Sequence, residues 1–117
     1  MTAIVTGKYS VHLFVHDLEK AANWYCDNLG LTLGPCDFNN FVELHVNGSY
    51  FMHLFIGDTI QPLQQPYFYL DTANIELAYY SLLSRGVHVS ELIQYSDHSS
   101  FVFTDLEGNK VGMSHFN

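Results

Sequence analysis

Positive charge is the scarcest thing in this chain. Its 117 residues carry 4 Lys and Arg against 12 Asp and Glu, a formal net charge of −8. Affinity for nucleic acid rests on clustered Lys and Arg, so the balance argues against such a partner. Anionic membrane surfaces are disfavoured for the same reason. No apolar run approaches the roughly 20 residues that span a bilayer. The segment Met1 to Lys8 lacks the profile of a secretory signal. Cys26 and Cys36 are too few and too unpatterned for a disulfide framework, and neither has an evident base beside it to make a nucleophile. These absences lead us to expect a soluble, cytoplasmic protein with reduced thiols. The length allows one domain over residues 1–117, or two small halves sharing a core.

What is abundant is aromatic surface, with nine Phe and eight Tyr. The chain also says one thing twice. Val11 to Val15 is an apolar strand, followed by Asp17 as a helix cap. The stripe Leu18, Ala21, Ala22, Tyr25 and Leu29 comes next, and Gly30 closes it. Tyr67 to Asp71 is a second strand, followed by a helix over about 74–85 with the stripe Ile75, Ala78, Leu82 and Leu83, and then Gly86. Each helix is followed by strands. The plan reads as repeat one over about 8–56, a polar connector at 57–66 and repeat two over about 67–117. Two half-sheets facing each other would leave a cleft.

Residues 41–47 and 50–56 form the clearest hairpin. Val42, Leu44 and Val46 alternate with Phe41, Glu43 and His45. Met52, Leu54 and Ile56 alternate with Phe51, His53 and Phe55. A three-residue loop at 47–49 lets both aliphatic sets face the same way, pairs 46 with 50, and sets Glu43 opposite His53. A two-residue loop would separate the sets. A short edge strand starts at Leu31 to Leu33 and breaks at Gly34-Pro35. Strands near 87–94, 100–104 and 110–116 complete the second half, with a turn at 105–109.

Alternation lists the residues lining the cleft. His12 and Phe14 come from the first strand, and Phe41, Glu43, His45, Phe51, His53 and Phe55 from the hairpin. Tyr67, Tyr69, Ser114 and Phe116 come from the second half. Apolar walls with a few polar groups suit a small-molecule pocket. The candidate ligand-binding set is His12, Phe14, Glu43, His53, Phe55, Tyr67, Tyr69 and Ser114. The same rings would also suit a dimer face. His16, His88, His98 and His115 read as exposed or capping. Asp97-His98-Ser99 has the letters of a catalytic triad, but three neighbours in a loop do not supply its geometry.

The order strand–helix–three strands, given twice, resembles the vicinal oxygen chelate superfamily of glyoxalases, extradiol dioxygenases and bleomycin resistance proteins. The segment from His12 to Tyr25, HLFVHDLEKAANWY, looks like the family's first strand and helix. The segment from Phe103 to Val111, FTDLEGNKV, looks like its Asp-Pro-Asp-Gly-Asn turn, with Leu106 in place of Pro. The resemblance implies an α+β fold of two βαβββ modules forming a cleft-shaped mixed sheet. It also implies four metal-ligand positions, here Ser10, His53, Gln65 and Gly112. Only His53 is a strong ligand, so no metal or other cofactor is expected at these positions. The leading expectation is a small-molecule-binding protein, a homodimer, with neither nucleic acid nor membrane as partner. The alternative is a divalent-metal-dependent lyase or dioxygenase using His12, His53 and Glu43.

Overall fold

The computed structural model describes residues 1–59 and 61–117. Strand β1 (His12–Val15) leads into helix α1 (Leu18–Leu29). The Asp17 carboxylate caps α1 by accepting from the Lys20 N–H, and Gly30 ends it in the left-handed conformation at φ 73°. Strands β2 (Thr32–Asp37), β3 (Phe41–Val46) and β4 (Ser49–Ile56) follow. The second half repeats the order as β5 (Tyr69–Asp71), α2 (Ile75–Ser84), β6 (Ile93–Gln94), β7 (His98–Thr104) and β8 (Lys110–Phe116). Asn74, rather than an aspartate, caps α2 by accepting from the Leu77 N–H.

Each half makes its own four-stranded mixed sheet, in the orders β1-β4-β3-β2 and β5-β8-β7-β6. The parallel pairs are β1 with β4 and β5 with β8. The first sheet's inner face is aliphatic, and the second's adds two phenylalanines. Leu13, Val15, Val42, Leu44, Met52 and Leu54 from the first sheet join Leu18, Ala21, Ala22 and Tyr25 of α1 in one buried cluster. Phe101, Phe103, Val111 and Met113 of the second sheet belong to the same cluster. One core therefore serves both halves.

Polar clamps fix the halves to each other. The buried Tyr25 hydroxyl donates to Asp105 Oδ2 at 2.7 Å. The backbone N–H groups of His16 and Asp17 donate to the two Glu107 carboxylate oxygens at 2.6 and 2.8 Å. Asn109 Oδ1 accepts from the Leu63 N–H of the connector at 2.9 Å. The turn at 105–109 thus reaches α1 and the connector at once.

Two local expectations change. The β3–β4 turn is the two-residue Asn47-Gly48, with φ of 51° and 80° and Val46 paired with Ser49. Positive φ at both central residues is the hairpin turn that Asn-Gly favours. The register then shifts by one residue, from His45↔Tyr50 to Leu44↔Met52. That bulge restores Glu43↔His53, the pairing expected from a longer loop. Strand β2 continues through Gly34-Pro35 instead of breaking there, with its register shift between Leu33 and Cys36. A proline is tolerated at a bulge and on an edge strand, and β2 is both.

Candidate functional site

The first sheet's open face is built by alternation, since every second residue of β1, β3 and β4 is buried against the core. What remains outward is a continuous run of rings. Phe14 meets Phe55 at 5.8 Å between centroids, and Phe55 meets His12 at 5.0 Å edge-on. His53 stacks on Phe55 at 5.3 Å and 13°, and lies 6.1 Å from Phe41. His12 and His53 pair across the parallel ladder, with ring centroids 5.7 Å apart and nearly perpendicular.

Polar groups thread this face. Glu43 Oε1 accepts from His45 Nε2 at 2.9 Å, while its Oε2 lies 3.7 Å from His53 Nε2. His53 Nδ1 is 2.8 Å from the Tyr50 hydroxyl, and His12 Nε2 is 2.9 Å from the Ser10 hydroxyl. Desolvation pushes the Tyr50 phenol above its ordinary range; the Ser10 hydroxyl opposes this and the Glu43 charge adds to it. Tyr50 therefore stays a neutral phenol at neutral pH. Gly34 lies against the His45 ring, where an added Cβ would come within 2.3 Å of Nε2. Glycine there lets β2 close over the imidazole.

Tyr67 joins this region. With His12, Phe14, Leu63 and Phe68 it lines a recess of about 270 Å³ between β1 and the connector. Tyr69 and Ser114 stand apart, on the open face of the second sheet. The Tyr69 ring lies on Gly112, so close that a Cβ there would sit 2.2 Å from Tyr69 Cδ2. Four rings expected together thus divide: Phe14, Phe55 and Tyr67 are neighbours of His12, and Tyr69 is not.

Phe51, expected on the open face, turns elsewhere. It lines an apolar groove of about 460 Å³ between the halves, beside Leu29, Leu31, Leu70 and Met113. The bulge at Tyr50–Phe51 re-aims it and places Tyr50 beside His53 instead. Tyr50 was missed for the same reason. The Asn-Gly pair at the turn was the signal that would have found it.

The four metal-ligand positions of the resemblance do not fit a metal. Ser10 bonds His12, Gln65 is exposed on the connector, and Gly112 lies beneath the Tyr69 ring. The alternative trio shares this face: His12 pairs with His53, whose Nε2 is 3.7 Å from Glu43 Oε2, while Glu43 also engages His45 and His12 engages Ser10. Among the described residues no group of three or more His, Cys, Asp or Glu is arranged to hold a metal ion. Among them too, no helix is long and apolar enough to cross a membrane.

The family model described as Glyoxalase/Bleomycin resistance protein/Dioxygenase superfamily matches residues 8–113. No curated protein matches the sequence. A solved glyoxalase-family protein from Bacillus anthracis is 15% identical, with a TM-score of 0.84 and full coverage of both chains. An integron cassette protein from a Halifax Harbour sewage metagenome is 24% identical over 96% of this chain and 100% of its own, with a TM-score of 0.80. TnmS3, an antibiotic binding protein from Streptomyces sp. CB03234, is 20% identical over 99% and 100% of the two chains, with a TM-score of 0.73. At these identities the structural likeness speaks to fold alone.

Proposed function

The chain belongs to the glyoxalase/bleomycin resistance protein/dioxygenase superfamily, and from that premise we propose that it binds a small, partly aromatic molecule without a catalytic metal. The observation that supports this is the ring surface of His12, Phe14, His53 and Phe55 continued by Tyr67. Offset and edge-on ring contacts favour a planar apolar guest. The polar groups Glu43, Tyr50 and His53 give it orientation. That a Streptomyces protein of this fold is an antibiotic binding protein lends support by likeness.

The reading includes a second copy of the chain. The open faces keep large rings exposed, with Phe14 at 48%, Tyr69 at 51% and Phe116 at 60%. Exposed apolar patches on a sheet face are usually covered by a partner or a ligand. Strands β1, β2, β5 and β6 end their sheets, and an end strand can pair with a partner's edge. A homodimer would wall the ligand in on more than one side.

The experiment is a thermal-shift screen of aromatic antibiotics, bleomycin among them, on protein purified without a histidine tag. A ligand of the native state raises the midpoint with concentration. The expected result is a dose-dependent rise that His53→Ala and Phe55→Ala remove. A rise that appears only with added divalent metal would replace this reading with the enzymatic one. Sedimentation of the unliganded protein as a monomer at all concentrations would remove the dimer.

A further inference from the structure

The open face of the second sheet holds an oriented imidazole. His98 begins β7 and pairs with Phe116 of β8. Its ring is sandwiched between Tyr95 at 4.7 Å and Phe116 at 4.8 Å, both at 17°. Parallel rings on both faces fix the imidazole plane. Asp97 fixes what remains, its Oδ1 lying 2.7 Å from His98 Nδ1. The hydrogen bond from His98 holds the Asp97 carboxyl below its ordinary range, so the partner is a carboxylate. A carboxylate brings no proton, so Nδ1 must carry one. The lone pair of the neutral ring is therefore on Nε2, which makes no hydrogen bond among the described residues.

The neighbours of that nitrogen define its ligand. Ser100 and Ser114 sit directly opposite each other on the same face, two residues along the ladder from His98 and Phe116. Neither hydroxyl has a hydrogen-bond partner among the described residues, and both can donate to an oxygen anion. Tyr69, Tyr95 and Phe116 are about half exposed or more around them. Ser99, the third letter of the apparent triad, pairs with His115 and faces the other way. What assembles is an Asp–His dyad on the same sheet face as two hydroxyls, with exposed aromatic rings around them.

We propose that this dyad is the proton-accepting subsite for the hydroxyl of a phenolic ligand. The inference rests on the reading that the chain binds a small aromatic molecule, and extends it from the first sheet's open face to the second's. The phenol enters neutral, as the chain's charge of −8 favours over an anion. Its O–H bond breaks and the proton passes to His98 Nε2. The electron pair stays on the phenolate oxygen, which Ser100 and Ser114 can solvate. The imidazolium keeps its Nδ1–H on Asp97, whose charge offsets it, the orienting role an aspartate plays beside histidine.

Two measurements test this. The first uses the protein alone: long-range ¹H–¹⁵N spectra of the imidazoles near neutral pH. The proposal requires neutral His98 to be protonated at Nδ1 in the wild type, and Asp97→Asn to abolish that preference. Nε2–H as the dominant wild-type form would overturn it. The second uses 4-nitrophenol, whose phenolate absorbs visibly, at a pH where the free probe is mostly neutral. Wild type should raise the phenolate band, and folded His98→Gln should not, while binding the probe about tenfold or more weakly for want of one charge-assisted bond. Ser99→Ala should behave as wild type. An equal phenolate band with His98→Gln refutes the proposal, as does no band with wild type at saturating protein. Ring shifts at His53 and Phe55 without any at His98 would leave the cleft reading intact and this inference wrong.

Discussion

Tyr25→Phe tests how the two halves are joined. The hydroxyl is buried and gives a charge-assisted bond to Asp105 Oδ2 at 2.7 Å. Phenylalanine keeps the ring and its packing against Trp24, so the loss is the bond itself. Asp105 retains the N–H groups of Glu107 and Asn109 at 2.9 Å and the Asn109 amide at 3.2 Å, so its charge is not stranded. Removing a hydrogen bond to a charged group costs about 1.5–3 kcal/mol. Unfolding entropy near 2.1 cal/mol/K per residue gives about 0.25 kcal/mol/K for this chain, so a loss of ~2 kcal/mol lowers Tm by about 8 °C. The pH dependence has a definite sign. Burial first, then the Asp105 charge and hydrogen bond, push Tyr25 well above the ordinary 10.0. A raised folded value means the contribution is complete below the unfolded value and is lost as pH rises through the folded one. Wild type should therefore lose its advantage over Tyr25→Phe only in strongly alkaline solution. Thermal unfolding of both proteins at neutral and alkaline pH measures this. Equal midpoints at neutral pH would refute the clamp, as would a gap that persists once Tyr25 ionises.

Glu107→Gln keeps the shape of the contact but leaves one of the His16 and Asp17 N–H groups facing an amide NH2 that cannot accept, and should cost about 1–3 kcal/mol in urea unfolding. Gly112→Ala places a methyl where the Tyr69 ring lies, so overpacking of about 1–3 kcal/mol is expected, relieved when Tyr69→Ala is added. Gly34→Ala should displace the His45 ring and release Glu43, read as a changed imidazole spectrum at His45 with smaller changes at His12. The hydrogen bond that lowers the Asp97 carboxyl adds stability above the unfolded carboxylate value that is lost as pH falls through the folded one. Asp97→Asn should accordingly flatten the acid limb of the stability curve.

The helix of the first half was legible because Asp17 and Gly30 are unambiguous stops around a clean stripe. In the second half Asp71 and Asn74 both offer a cap, and only Asn74 lies the right distance ahead of Leu77. The open-face residues followed from alternation, which burial enforces on β1, β3 and β4 alike. Glu43↔His53 was reached through a longer loop than the real one. Asn47-Gly48 shortened the turn, a bulge absorbed the difference, and Phe51 and Tyr50 exchanged roles. The clamps were not legible, since Tyr25 and Asp105 are 80 residues apart and Asp17 and Glu107 are 90. No local pattern marks such partners. His98 reads as exposed or capping in the sequence, because nothing local marks Tyr95 and Phe116 as the rings it stacks between.

The proposed function puts a small aromatic molecule on the Phe14–Phe55–His53 face. Calorimetry of the best compound from the thermal-shift screen, on wild type and Phe55→Ala over several temperatures, tests it most directly. The expected result is a negative heat-capacity change from apolar burial and binding at least about tenfold weaker in the variant, a loss of ~1.4 kcal/mol or more. Equal affinity for wild type and for a folded Phe55→Ala would contradict it.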